Sequence, residues 1–204
     1  CGIGGPSRLL AAGYGCRVAG LDLTEAYCRA ARVMAGWVGL DGKLDYCAGD
    51  ALALPFASSQ FDLVWTQHVA MNIADKPRLY GEVRRVLKPG GRFALYDVLQ
   101  GTAGEIRYPV PWARDPAISF PATAEALRAH LTAAGLEVLH WEDNSARSLD
   151  WFRGRRRQAA EGGGPPPVGP RILIGEDFQV LLGNLARSLE EGRAATLTAI
   201  CRAV

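Results

Sequence analysis

The feature that most constrains this chain is the rhythm of its first hundred residues. Short apolar runs, several closing on an acidic or polar side chain, alternate with stretches of helical periodicity. Arg17 to Asp22 (Arg-Val-Ala-Gly-Leu-Asp) reads as a strand that ends on a carboxylate. Thr24 is placed to cap the helix that follows, with Ala26, Ala30, Ala31 and Met34 on its apolar side. Leu44 to Asp50 reads as a second strand, again ending in Asp, and Phe61 to Thr66 as a third. A helix then starts with Asp75 as N-cap and Pro77 in its first turn, and it gathers Leu79, Val83, Val86 and Leu87 on one face. Lys88-Pro89-Gly90-Gly91 should stop it, because proline cannot continue a helix and glycine supplies a left-handed cap. Arg92 to Asp97 is a fourth strand. Strands and helices alternating at this spacing predict a parallel sheet covered on both faces.

The rhythm breaks after residue 100. Residues 101–122 carry Pro109, Pro111, Pro116 and Pro121 and are too long for a simple connection, so a lid or substrate-shaping loop is expected there. A helix near 123–134 should end at Gly135, with a strand from Leu136 to Glu142 behind it. Residues 148–160 look helical, the glycine–proline stretch 162–170 reads as a loose loop, and a helix is expected at about 176–191. Arg193 to Val204 reads as a final strand. No internal repeat is visible. The 204 residues suit one domain, with substrate-facing segments near 101–122 and 148–180.

Composition narrows the function classes. A formal charge of +2 is too small to point to nucleic acid. The cluster Arg153, Arg155, Arg156 and Arg157 reads as a solvated helix end. Five cysteines, an odd number without a Cys-x-x-Cys pair, argue against a disulfide framework and for a reducing, cytoplasmic compartment. His68, His130 and His140 lack partners at metal-ligand spacing, so no metal is expected, and no apolar run suggests a membrane partner.

Ligands of open α/β sheets bind outside the carboxyl ends of the strands, and four features fall at such ends. Cys1-Gly2-Ile3-Gly4-Gly5 allows a ligand to approach the backbone closely before a helix begins. Asp22, 18 residues after Gly4, can accept ribose hydroxyls. Gly49-Asp50-Ala51 can take the exocyclic amine of an adenine, with Leu23 and Leu52 on the faces of the ring. Thr66-Gln67-His68 can face the polar end of the same ligand. Each alone is an ordinary turn, cap or structural histidine.

In this order and spacing they resemble the class I S-adenosylmethionine (SAM) dependent methyltransferases, and Lys88-Pro89-Gly90-Gly91 matches the turn that precedes a later strand of that family. The segments His68 to Lys76 and Tyr108 to Ala113 look most like small-molecule members, such as sarcosine/dimethylglycine N-methyltransferases and quinone-pathway C-methyltransferases. The resemblance implies a Rossmann-like, doubly wound, mostly parallel sheet in a three-layer α/β/α arrangement. It implies SAM as cofactor, held by Cys1, Gly2, Gly4, Asp22, Leu23, Asp50, Ala51, Gln67 and His68. His68 is the candidate general base, and Met71, Asn72, Tyr108 and Trp112 are candidate substrate contacts. The acceptor would be a small molecule, with nucleic acid and membrane excluded and the chain a monomer or homodimer. Trp65 could join the aromatic wall, and Arg107 or Arg114 could pair with a substrate carboxylate.

The family normally opens with an apolar strand and Asp/Glu-x-Gly ahead of Cys-Gly. That first strand is absent here, so weak stability and weak SAM binding are expected of this chain. A nicotinamide-dependent oxidoreductase fits less well: its third glycine would fall on Ser7, and Asp50 would have no role. A SAM-binding or interaction module without catalysis stays open.

Overall fold

The computed structural model describes residues 1–161, 169 and 171–204. The glycine–proline stretch expected to be a loose loop therefore lies, Gly169 apart, outside the described residues. The chain divides into two compact units, Cys1–Ala57 and Ser58–Val204.

The first unit contains α1 (Gly5–Tyr14), β1 (Val18–Asp22), α2 (Glu25–Trp37) and β2 (Leu44–Ala48). The strands pair in parallel, Val18 opposite Leu44 through Asp22 opposite Ala48, so both carboxyl ends finish at one edge. The core is built from small residues: Ala11 of α1, and Cys28, Ala31 and Ala35 of α2, meet Leu44 and Tyr46 of β2. The Tyr46 ring fills the space that these residues leave. A Cβ on Gly4 would lie 2.4 Å from Tyr46 Oη, and Gly4 holds φ +75°, so this position tolerates only glycine. Thr24 is the N-cap residue of α2, but its side chain makes no capping bond. The neighbouring Asp22 Oδ1 accepts the Thr24 N–H instead, at 2.9 Å.

The second unit holds β3 (Phe61–Gln67), α3 (Lys76–Val86), β4 (Leu87–Gln100), α4 (Ala124–Ala133), β5 (Leu136–Asp143), α5 (Ser145–Ala160), α6 (Arg171–Ile174), α7 (Phe178–Glu190) and β6 (Ala194–Ala203). Its sheet has the order β3-β4-β6-β5. β3 and β4 are parallel, whereas β6 runs antiparallel to both β4 and β5. Asp75 caps α3 as its residue type suggests, accepting the Arg78 N–H at 3.0 Å. Leu79, Val83 and Val86 of that helix are no more than 2% exposed. Burying each such side chain is worth about 1.5–3 kcal/mol.

One local expectation needs correcting. Lys88-Pro89-Gly90-Gly91 does not merely end α3; it is the irregular first part of β4, where the register to β3 shifts between Phe61 and Leu63. A Cβ on Gly91 would lie 2.9 Å from the Lys88 carbonyl, so the bulge itself demands glycine. Residues 101–122, expected as a lid or substrate-shaping loop, pack into the unit: Ile106, Val110 and Ala113 are buried against Met71, Val98, Leu189 and Ala194. No helix among the described residues is long and apolar enough to cross a membrane.

Candidate active site

In the first unit the glycine loop is tied down by Asp22. Its Oδ2 accepts from the amide of Gly2 at 2.7 Å and from the Cys1 nitrogen at 2.9 Å. Its Oδ1 accepts from Thr24. Burial pushes the carboxyl up, but the bonds from Thr24, Cys1 and Gly2 outweigh it and hold Asp22 below its ordinary value. A carboxylate offers about four acceptor positions, and three are taken. By this count Oδ1 keeps one acceptor position. The strand pairing brings Asp50 to the same edge, since the Gly49 N–H bonds the Asp22 carbonyl at 2.9 Å. Asp50 is exposed, and one of its oxygens folds back on the Leu52 N–H at 2.8 Å, which orients the carboxylate. Leu23 is 78% exposed, and nothing lies within 4 Å of where a Gly2 Cβ would be. A free hydroxyl acceptor, an outward carboxylate, a bare apolar side chain and open space over a glycine suit an adenosine and its ribose.

The second unit carries a cavity of about 820 Å³. Its walls are mostly apolar and aromatic: Met71, Val98, Trp112, Trp151, Phe152, Phe178, Leu182, Leu185 and Leu189. Gln67 and His68 stand at it from the carboxyl end of β3, and Tyr96, Thr196 and Thr198 come from the paired strands β4 and β6. His68 is in the left-handed region with φ 55° and is held there by its N–H to the Tyr96 carbonyl at 2.9 Å. A non-glycine residue in this region is uncommon and marks positions worth chemical attention. Its ring meets the Tyr96 ring edge-on at 5.0 Å. The residue keeps an accessible surface, yet the protein around it is dense enough that desolvation lowers its pKa from 6.5. That direction favours the neutral imidazole over the charged one.

The cavity gathers some of the residues singled out from sequence and leaves others aside. Gln67, His68, Met71 and Trp112 line it. Asn72 instead turns its amide to the His68 and Val69 carbonyls, at 3.4 and 3.3 Å. Tyr108 packs against the buried cluster around Val110. Trp65 is 43% exposed on β3 and is not among the lining residues. Arg107 is paired with Glu191 at 2.8 Å and Arg114 with Asp177 at 2.6 Å, and neither is among the residues that line the cavity. Sequence reasoning missed Tyr96, Asn144, Ser148, Thr196 and Thr198. The available signal was the even-numbered, partly polar face of the two strands Tyr96–Val98 and Thr196–Thr198.

Residues 1–95 match a methyltransferase domain model. Over 201 residues, 95% of this chain and 63% of the relative, the chain is 29% identical to methyltransferase GfsG of Streptomyces halstedii. The chain is thus similar to class I SAM-dependent methyltransferases, its residues 1–95 matching their domain. It is also 34% identical to sterol 24-C-methyltransferase ERG6B of Gibberella zeae, over 72% of this chain and 40% of the relative. The chain thus spans less than two thirds of the length of these curated relatives. Among solved structures, the 4+2 cyclase SpnF superposes with a TM-score of 0.75 at 26% identity, covering 99% of this chain and 72% of SpnF.

Proposed function

We propose that this chain moves the methyl group of SAM to a bulky, largely apolar small molecule held in the cavity of its second unit. The cavity carries the reading. At about 820 Å³, walled by Trp112, Trp151, Phe152 and Phe178, it suits a multi-ring or isoprenoid acceptor better than a compact charged amine. The likeness to a sterol C-methyltransferase points the same way. In the first unit, Asp22 would take a ribose hydroxyl, Asp50 the adenine amine, Leu23 a face of the ring, and Cys1, Gly2 and Gly4 the methionine part. Ala51 would lie at the adenine edge.

SAM supplies an electrophilic methyl on a sulfonium whose departure leaves a neutral thioether. In-line displacement then asks of the protein mainly position and dryness, which the apolar walls provide. His68 would remove a proton from an acceptor atom that must lose one. Five free thiols among the described residues support a reducing, cytoplasmic setting.

The test is calorimetric titration with S-adenosylhomocysteine on the chain and on Asp22→Ala, followed by mass analysis of sterol and polyprenoid acceptors incubated with SAM. Binding that weakens at least ten-fold in Asp22→Ala, with products heavier by one methyl, is expected. No binding by the unaltered chain sinks the cofactor reading. A second reading, cofactor and acceptor binding without methyl transfer, is favoured by the likeness to the 4+2 cyclase SpnF along nearly the whole chain. Binding of S-adenosylhomocysteine with acceptors rearranged at unchanged mass would select it.

A further inference from the structure

We propose that Asn144 and the hydroxyls beside it form an oxygen-recognising subsite in the apolar cavity, one that selects acceptors bearing a carbonyl or hydroxyl. The inference rests on the reading of the cavity as the acceptor site and adds a recognition element to it.

Two buried side-chain polar atoms among the described residues have no hydrogen-bond partner, Tyr46 Oη and Asn144 Nδ2. Tyr46 lies in the closed core of the first unit, whereas Asn144 lines the cavity. Asn144 is 4% exposed. Its backbone is clamped at both ends: its N–H bonds the Thr196 carbonyl at 2.8 Å, and its carbonyl accepts the Ser148 N–H at 2.9 Å in the first turn of α5. Its Oδ1 is already used, accepting from Thr198 Oγ1 at 2.6 Å. The amide nitrogen is therefore held in place with donors free.

A second chain of polar groups runs alongside. Tyr96 Oη and Ser148 Oγ are 3.1 Å apart, and Ser148 Oγ and Thr196 Oγ1 are 2.8 Å apart. Strand geometry explains the gathering. Tyr96 stands opposite Thr198 and Val98 opposite Thr196 in the antiparallel β4–β6 ladder, and residues two apart share a face. The start of α5 lies over that face. The result is a polar stripe in a wall otherwise made of Val98, Leu185, Leu189 and Phe152.

A buried donor without a partner is unfavourable, and an otherwise apolar ligand that brings an oxygen to it relieves that cost. A site of this kind also discriminates against the analogue lacking the oxygen, because the donor then stays unpaired. Asn144 Nδ2 donates only, so the group it selects is an acceptor oxygen, and the hydroxyl chain can serve a second lone pair or proton of the same group.

The experiment uses the full chain and two bicyclic probes of nearly equal shape, the ketone 2-decalone and the hydrocarbon decalin, with quenching of the cavity tryptophans as readout. The expected result is that the decalone-to-decalin affinity ratio falls roughly ten-fold in Asn144→Leu while decalin affinity is retained. An unchanged ratio overturns the subsite and leaves the cavity as a binding site. Failure of both probes to bind overturns the cavity reading and the subsite together, whatever S-adenosylhomocysteine does. Should Asn144→Leu not fold, the unaltered protein still decides the matter. Its Asn144 side-chain amide resonance should shift with decalone and not with decalin, and equal responses to the two overturn the proposal. Thr198→Val, which frees Asn144 Oδ1, should lower the ratio by a smaller factor.

Discussion

Tyr46 and Gly4 show how a single atom sets local tolerance. The Tyr46 hydroxyl is buried without a partner, and its ring closes the space beneath Gly4. Removing that hydroxyl removes a desolvated orphan, so Tyr46→Phe should stabilise the chain by about 1 kcal/mol in urea unfolding. Gly4→Ala should destabilise it by about 2 kcal/mol or more, since the methyl must displace a buried ring at a left-handed backbone position. Part of that loss should be recovered in the Tyr46→Phe background, and simple additivity would refute the contact. His68 makes a different claim. Desolvation lowers its pKa from 6.5, so the neutral base persists further into acid than a free imidazole does. The acid limb of the pH–rate profile should therefore have its midpoint below 6.5. If positioning dominates, His68→Ala lowers turnover by a smaller factor than Asp22→Ala lowers cofactor affinity. Abolished turnover with unchanged cofactor binding would make His68 essential as a base.

Among elements, β4 does the most to build the second unit. Its odd-numbered face sends Phe93 against Tyr80 of α3, with ring centres 6.1 Å apart, while its even-numbered face lines the cavity. Asp97 on this strand is 2% exposed and accepts the Ala70 N–H at 2.7 Å and the Val98 N–H at 3.0 Å, pinning the turn that carries His68 and Met71. Burial pushes its carboxyl up to about 6, against the pull of those amides and of Lys76. A carboxyl raised in the folded state favours folding while it is protonated in both states, and loses that advantage as pH climbs from about 4 to about 6. That rise, from the ordinary carboxyl value to about 6, corresponds to about 3 kcal/mol. Chemical denaturation between pH 4 and pH 7 should show this loss, and Asp97→Asn should flatten it while lowering stability throughout, because an amide has one acceptor oxygen for two donors. An unchanged pH slope in that variant would place the titration elsewhere. The arginines of α5 stay on its exposed side, as their sequence pattern suggests: Arg153 pairs with Asp150, Arg156 with Glu190, and Arg155 lies over Trp151.

At the scale of the molecule, the two units differ in what holds them. The first has a two-stranded sheet and a core of mainly small side chains, while the second has four strands with β4 and β6 at the centre. A two-stranded sheet alone is marginal in water. Native-state hydrogen exchange should therefore be slowest at the amides of Phe93, Leu95 and Ala199, with β1 and β2 opening at lower free energy. S-adenosylhomocysteine should slow exchange in β1 and β2, since a ligand stabilises the unit that binds it. Uniform exchange across both units, or protection by S-adenosylhomocysteine confined to the second unit, would contradict this assignment.

What the sequence determined by itself was local. The strands ending at Asp22 and near Asp50, the glycine loop ahead of α1, the Asp75 cap and the ends of α4 and β5 follow from residue type and periodicity within a few neighbouring positions. Of the candidate cofactor residues, Asp22, Leu23, Asp50, Ala51, Gln67 and His68 lie at or just past the ends of β1, β2 and β3, whereas Cys1, Gly2 and Gly4 precede α1. The tertiary structure alone decided the cavity of the second unit. Strand periodicity assigns Tyr96 and Thr198 a face but not a partner, and only the placement of β6 between β4 and β5 sets them opposite each other. Asn144 has no local signal at all: its meaning comes from Thr196 and Thr198, more than fifty residues away, and from an amide nitrogen that the finished fold leaves without a bond.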